Sequence, residues 1–277
     1  MVDRDALAAL YESHAPMVGA LALRMLGDRT ESEDVVQDTF LHVYRALPAF
    51  RGDASPRTWI YRIAVNECLQ RIRRRQPRPA REAADIQRLI DAAGTQPHIA
   101  PEDAVLLAEV LEQIQEGCYI ALTARLPVNQ RTVYVFVDLL DWSVESTAGL
   151  LGISLAAAKS RLHRARENMA LFFGPKCSHL GPANPCTCMS RVPAAEQFDP
   201  DLIRRAKARL DDDGPRRRAP AGPHTLREMV RDLPLHTTDA DARARFFALI
   251  DQGLPETESG DHPPASKETT WMQEGSS

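Results

Sequence analysis

Two sets of side chains in this 277-residue chain have the types and spacing to do chemistry. The first is Ser154, Ala156, Ala157, Lys159, Ser160, Arg161, His163 and Arg164, within the run Ser154-Leu-Ala-Ala-Ala-Lys-Ser-Arg-Leu-His-Arg164. Small residues at a helix start allow close approach to base edges, and Arg, Lys and Ser donate to bases or phosphates. The helix N-terminus adds backbone donors for a phosphate. Lys159, Arg161 and Arg164 cannot all face one way, so they divide between groove and backbone. The second set is Cys177-x8-Cys186-x-Cys188, set among Gly181, Pro182 and Pro185. Thiolates that curl around one point suit zinc or, less well here, copper. Three thiols fall short of a closed zinc site; Cys118 supplies a fourth, with His179 as its competitor. The spacing is not that of a standard zinc finger, and two alternatives stay open: reduced, partly buried thiols, or a disulfide or sulfenate sensor.

No catalytic constellation accompanies them. There is no His-Glu-x-x-His, phosphate loop or dinucleotide glycine motif, so a non-enzyme is expected. Five cysteines, an odd number, argue against a disulfide framework and for a reducing cytoplasm. No apolar run is long enough to span a membrane, and Asp3, Arg4 and Asp5 do not begin a signal peptide. The net charge of −4 says little, because local patches bind nucleic acid.

The elements that must position the first set read as a helix-turn-helix over residues 143–167. Ser143 caps a short helix, Gly152 sits at the turn where φ > 0 is favoured, and Ser154 caps the second helix. That helix buries Leu155, Ala158, Leu162, Ala165 and Met169 at helical spacing. Its opposite face is small near the start and basic beyond, the form of a recognition helix. The bland alternative is a charged surface helix in a bundle.

An all-α chain surrounds this motif. Leu7, Leu10 and Tyr11 begin one apolar stripe; a second helix carries Ala20, Leu21, Leu23, Met25 and Leu26 and closes at Gly27. Thr30, with Glu33 three residues on, has capping-box spacing for a helix bearing Val35, Val36, Phe40, Val43, Tyr44 and Leu47. Pro48 ends it, and a further helix from Arg57 carries Trp59, Ile60, Ile63, Ala64, Cys68, Leu69 and Ile72. Six arginines and no acid fall in residues 71–81. The expected organisation is a helical domain at 5–75, a linker at 76–101 with a short helix at 82–93, and the helix-turn-helix domain at 102–173. A cysteine-rich knuckle follows at 174–193, then a helical extension at 194–252 broken at Asp211–Pro223, and a disordered acidic tail at 253–277.

Two separate blocks resemble one family. Leu126-Pro-Val-Asn-Gln-Arg131 with the turn motif and Ala158-Lys-Ser-Arg-Leu-His-Arg-Ala-Arg166 is similar to the promoter −35 domain of bacterial sigma factors of the extracytoplasmic-function class. Leu21-Ala-Leu-Arg-Met-Leu-Gly27, Glu33-Asp-Val-Val-Gln-Asp-Thr-Phe40, Phe50-Arg-Gly-Asp53 and Arg57-Thr-Trp-Ile-Tyr-Arg-Ile-Ala64 resemble the class's core-polymerase and −10 domain. The resemblance implies that Asp34, Gln37, Asp38 and Phe40 grip the β′ clamp of core RNA polymerase, with the β flap and promoter DNA as further partners. Arg57, Trp59, Arg62, Asn66, Arg71, Arg73 and Arg74 are the implied −10 strand contacts, although Trp59 matches a position usually buried. An anti-sigma factor or other regulator is an expected class of partner. Asn184-Pro-Cys-Thr-Cys188 and Cys118 resemble a subset of the class with a cysteine-rich extension, which strengthens the case for one zinc ion. Pro56, Thr147 and Ala158 depart from the family pattern, the last two toward looser packing and modest −35 affinity. The competing function is a stand-alone metal- or redox-responsive helix-turn-helix regulator, which would leave residues 31–75 without a role.

Overall fold

The first helix shows burial overriding a local breaker. The sequence predicts two helices within residues 5–26, but α1 runs unbroken over Arg4–Leu26 with Pro16 inside it. Proline removes one N–H from the ladder. Leu7, Tyr11, Ala15, Val18 and the whole stretch Gly19–Leu26 are buried along α1, and that apolar contact holds it together. Gly27, at φ 72°, then reverses the chain. This computed structural model describes residues 4–74, 104–193, 195, 201–213 and 240–251. The expected linker with its short helix, most of the break after Asp211 and the acidic tail lie outside the described residues.

Helix α2 spans Arg29–Ala46 and is capped by Asp28, whose carboxylate accepts from Glu31 N–H at 2.9 Å. The cap therefore lies two residues before Thr30, where the capping-box spacing predicts it. A carboxylate at the N-cap also faces the positive end of the helix dipole. A short 3-10 turn at Leu47–Ala49 ends α2 at Pro48. Pro56 opens α3, Pro56–Arg74, at a first-turn position where its missing N–H costs nothing. Ser55 Oγ accepts from Thr58 N–H at 3.2 Å.

Most of the rest of the described chain is helical too, in line with the all-α expectation, apart from the turns of residues 174–188. Helix α4 is Ala104–Thr123, and α5 is Val128–Tyr134, running into a single π turn at Val135–Leu139. Then come α6 at Val144–Leu151, α7 at Leu155–Phe173, α8 at Leu202–Asp213 and α9 at Ala240–Asp251. No helix among the described residues is long and apolar enough to cross a membrane.

The chain forms two compact units. The first comprises the described parts of residues 1–75, 127–164 and 234–277. Its core is α1, α2 and α3 packed on one another, with the π turn against α1 and α6 against α3. Buried Arg131 of α5 donates to the Met25 carbonyl, one of the carbonyls that the end of α1 leaves without an intrahelical donor. Phe136, Tyr61 and Trp142 meet edge to face, at 6.0 Å for Tyr61–Phe136, 5.4 Å for Tyr61–Trp142 and 5.2 Å for Phe136–Trp142. Asp141 adopts a left-handed φ of 54°, and Trp142 N–H donates to the Phe136 carbonyl at 2.9 Å, so the chain folds back to seat Trp142 on the π turn. Aspartate is among the few side chains that visit this region.

The second unit comprises the described parts of 76–126 and 165–233. Val110 of α4, Val192, and Leu202 and Ala206 of α8 form its buried cluster, with Leu106, Leu107, Leu111 and Ile114 against it. Tyr119 stacks on Phe173 at 6.2 Å. Part of the expected extension is thus a core element: α8 lies on α4.

Two outcomes test the first unit. Phe136→Ala removes a fully buried ring from the aromatic cluster and is expected to destabilise by about 3–5 kcal/mol in chemical denaturation. His14 lies beside Tyr61, and burial, with the Arg57 charge second, lowers its pKa from the ordinary 6.5. A lowered histidine pKa means the unfolded chain binds more protons below about 6.5, so stability falls as pH drops through that value. The unfolding midpoint should therefore decline from pH 7.5 to 5.5, with a shallower decline in His14→Gln; equal slopes would refute the assignment.

Candidate nucleic-acid interface

The helix-turn-helix is built as its spacing demands. Ser143 Oγ accepts from Ser146 N–H at 2.9 Å, starting α6. Gly152 ends α6 at φ 64°, a conformation that a side chain would strain. Ser154 Oγ accepts from Ala157 N–H at 3.1 Å, starting α7. Thr147 is fully buried and its hydroxyl donates to the Ser143 carbonyl at 2.9 Å, so the departure at this position carries a satisfied polar group.

Along α7 the two faces separate. Ala158, Leu162, Ala165 and Met169 are buried. Leu155, expected on that inner face, is instead 38% exposed, because it occupies the first turn. Ser154, Ala156, Lys159, Ser160, His163 and Arg164 are exposed, and Ala157 and Arg161 are half-buried. Burial lowers the pKa of Arg161, a group that keeps its charge regardless. Lys159 and Arg164 are thus the more freely presented cations on a face that is otherwise small and polar.

The residues implied for −10 contact do not form one open surface. Arg57 is exposed, yet its guanidinium carbon lies 4.8 Å from the centre of the Trp142 ring and 5.9 Å from that of Tyr61. Tyr61 is buried and its hydroxyl is pushed up to about 12, chiefly by burial. Trp59 stacks on Phe50 at 4.7 Å and is 9% exposed, a core placement. Arg62 and Asn66 are half-buried, and Arg73 and Arg74 stand exposed at the end of α3. Arg71 reaches across to α2, pairing with Asp38 and, at 3.5 Å, with Asp34. Two residues implied for polymerase contact and one implied for DNA contact thereby share an ion-pair network. Gln37 is half-buried on the same helix, and Phe40 is fully buried, 4.6 Å from Tyr11.

The five cysteines occupy two different surroundings. Cys68 is buried in α3, and its thiol is pushed up to about 12 by burial. Cys118 on α4 and Cys177, Cys186 and Cys188 in the knuckle lie within electrostatic range of one another. Cys118 is exposed as a residue, although the surroundings of its sulfur exclude water. Loss of water first, and the other three thiols second, push its pKa up to about 12. Burial likewise raises Cys188 to about 12 and Cys177 above its ordinary value. His179 Nε2 lies 3.3 Å from Cys188 Sγ. Among the described residues, no three such ligands stand as a ready metal cage.

Two residues other than the cysteines hold this knuckle. Asn184 Nδ2 donates to the Gly174 carbonyl at 2.6 Å and to the Cys177 carbonyl at 2.9 Å. Cys186 N–H donates to the Lys176 carbonyl at 2.9 Å and Ser178 N–H to the Cys186 carbonyl at 3.0 Å, bridging the two cysteine segments. Buried Arg191 donates from Nε to Cys186 Sγ at 3.1 Å, placing a positive charge beside the thiols. The asparagine before Pro185 is the available signal; nothing local marks Arg191.

Comparison with known proteins finds the two helical blocks in one family. The Sigma-70 region 2 family model matches residues 10–78, and the Sigma-70, region 4 model matches residues 116–169. The chain is 32% identical over 173 residues to ECF RNA polymerase sigma factor SigM of Mycobacterium tuberculosis, covering 62% of this chain and 79% of that one. It is 31% identical over 175 residues to ECF RNA polymerase sigma factor SigW of Bacillus subtilis, covering 60% and 87%. Among solved structures, CnrH in complex with the cytosolic domain of CnrY is 26% identical with a TM-score of 0.43, across 61% of this chain and 88% of that chain. Both helical blocks, in order and over most of the length of such relatives, are present: this chain belongs to the ECF RNA polymerase sigma factors.

Proposed function

We propose that the protein is a promoter-specificity subunit that grips core RNA polymerase through Asp34, Gln37 and Asp38 of α2, reads a −35 element with α7, and uses α3 to help open the −10 element. The observation that carries the −35 role is the two-faced α7: Ala158 and Leu162 inward, and Ala156, Lys159, Ser160, His163 and Arg164 outward behind the Ser154 cap. A helix of this form enters the major groove by its N-terminal end while its cations reach phosphates. Arg57, Arg73 and Arg74 supply charge along the separated strand. Arg57 must leave the Trp142 ring to do so.

The test is reconstituted transcription with core polymerase on a promoter library. Lys159→Ala with Arg164→Ala should weaken promoter binding at every sequence. The pair should also lower the salt slope by about 0.9 for each phosphate no longer neutralised, leaving core-polymerase affinity unchanged. No initiation by the wild-type chain on any promoter would refute the reading.

A second reading rests on the thiols. We propose that one zinc ion is held by Cys118, Cys177, Cys186 and Cys188, with His179 competing for the place of Cys118. In its favour, Cys118 lies within electrostatic range of the other three thiols, and the Arg191 charge opposes the upward push of burial at Cys118 and Cys188. Zinc there would cross-link α4 to the knuckle and add to the folding energy of the second unit. Asn184 would orient the loop that carries two of the ligands. Elemental analysis should find about one zinc per chain in the wild type and a loss in Cys186→Ala. Asn184→Ala should bind about 10–100-fold more weakly in chelator competition, the usual penalty for removing a group that orients the ligands. Metal-free protein in every case would end the proposal, and copper in place of zinc would change its identity.

A further inference from the structure

Helix α9 lies on a part of the first unit that the sigma family's activity does not explain. Arg4 of α1 pairs with Asp251 of α9 at 2.6 Å, and Glu12 of α1 pairs with Arg243 of α9 at 2.7 Å. Eight residues separate the partners on each helix, so α9 runs antiparallel to α1 and in step with it for about 12 Å. Between these ion pairs, Phe246 stacks on Tyr11 at 5.0 Å and meets Phe40 of α2 edge-on at 6.1 Å. Phe247 contacts Tyr11 at 5.8 Å, with the Arg4 and Arg243 guanidiniums 5.7 Å and 5.3 Å from its ring centre. Phe246 is 1% exposed. The groove between α1 and α2 is thus an aromatic socket with one acidic and one basic rim residue, and a Phe-Phe helix of complementary charge fills it.

We propose that this socket is an interaction surface whose occupant in the free chain is the chain's own α9, and that α9 thereby competes with core RNA polymerase for the neighbouring face of α2. The inference rests on the reading of α2 as the polymerase-gripping helix. Gln37, implied for polymerase contact, is one turn from Phe40 and on the adjoining side of α2, so a helix seated on Phe40 stands beside it. An occupant on the same chain acts at high effective concentration, and polymerase must displace it. The apparent affinity falls by the fraction of chains in which the socket is closed.

The experiment uses the full chain. Equilibrium binding to core polymerase is measured for wild type, Phe246→Asp with Phe247→Asp, Arg243→Glu, and Arg243→Glu with Glu12→Arg. If α9 occupies the socket in about nine chains in ten, the phenylalanine variant should bind about tenfold more tightly. Arg243→Glu should give a smaller gain, and adding Glu12→Arg should return it to the wild-type value. Hydrogen exchange at residues 7–15, read without polymerase, should rise in the phenylalanine variant and in Arg243→Glu and fall back in the double charge reversal. If wild type and the phenylalanine variant bind core polymerase equally, α9 is not a competitor and the proposal is overturned while the sigma reading stands. If no form binds core polymerase, both are overturned.

Discussion

The Arg57 guanidinium, held over Trp142 and beside Tyr61, is the contact on which the first unit turns. It joins the first turn of α3 to the residue that precedes the cap of α6, and it lies on the aromatic cluster that Phe136 completes. A guanidinium over an indole face is attracted by the ring quadrupole, more strongly as water is excluded. Burial lowers the pKa of His14 and the same charge adds to that, whereas at Tyr61 the charge opposes the upward push of burial. The left-handed Asp141 and the π turn exist, structurally, to bring Trp142 to this place. One exposed guanidinium therefore holds together helices far apart in sequence.

Helix existence and type were legible wherever an apolar stripe met a capping residue. The turn motif is the clearest case: Ser143, Gly152 and Ser154 each perform the role their types dictate, because caps and left-handed turns are decided within four residues. Boundaries set by competition were less legible. Asp28 displaces Thr30 as the cap of α2, and Pro16 fails to break α1 because burial along the helix outweighs one missing hydrogen bond. Contacts set by tertiary structure were not legible at all. Arg71 looks like one more cation in a basic run, yet it pairs with Asp34 and Asp38. Phe246 and Phe247 fall in the expected helical extension, yet they complete an aromatic cluster with Tyr11 and Phe40.

The cysteine knuckle shows the same division. Its thiols could be grouped from spacing, since Cys-x-Cys in a glycine- and proline-rich turn has few ways to lie. Its order comes from elsewhere: Asn184 ties the loop back to the end of α7 through the Gly174 carbonyl, and Arg191 approaches Cys186 from the following turn. An amide that bonds two carbonyls fixes backbone directions in a way that a hydrophobic contact cannot. Burial raises the pKa of Cys118, Cys177 and Cys188, and the Arg191 charge opposes it at Cys118 and Cys188.

Three groups on the first unit are engaged within the chain. Arg57 lies on Trp142, Asp34 and Asp38 share Arg71, and the α1–α2 socket holds α9. None of these contacts is deeply buried ion pairing; the charged groups at Arg4, Glu12, Arg243 and Asp251 are about half exposed. Exposed pairs of this kind contribute little individually, on the order of 0–1 kcal/mol. They are therefore cheap for a large partner surface to replace, whereas the rings beneath them are not. The aromatic contacts set how much of the chain is closed, and the charges set how precisely α9 and α3 are registered when it is. A partner that supplies its own apolar contacts at α1 and α2 can shift that balance; one that offers only charge cannot.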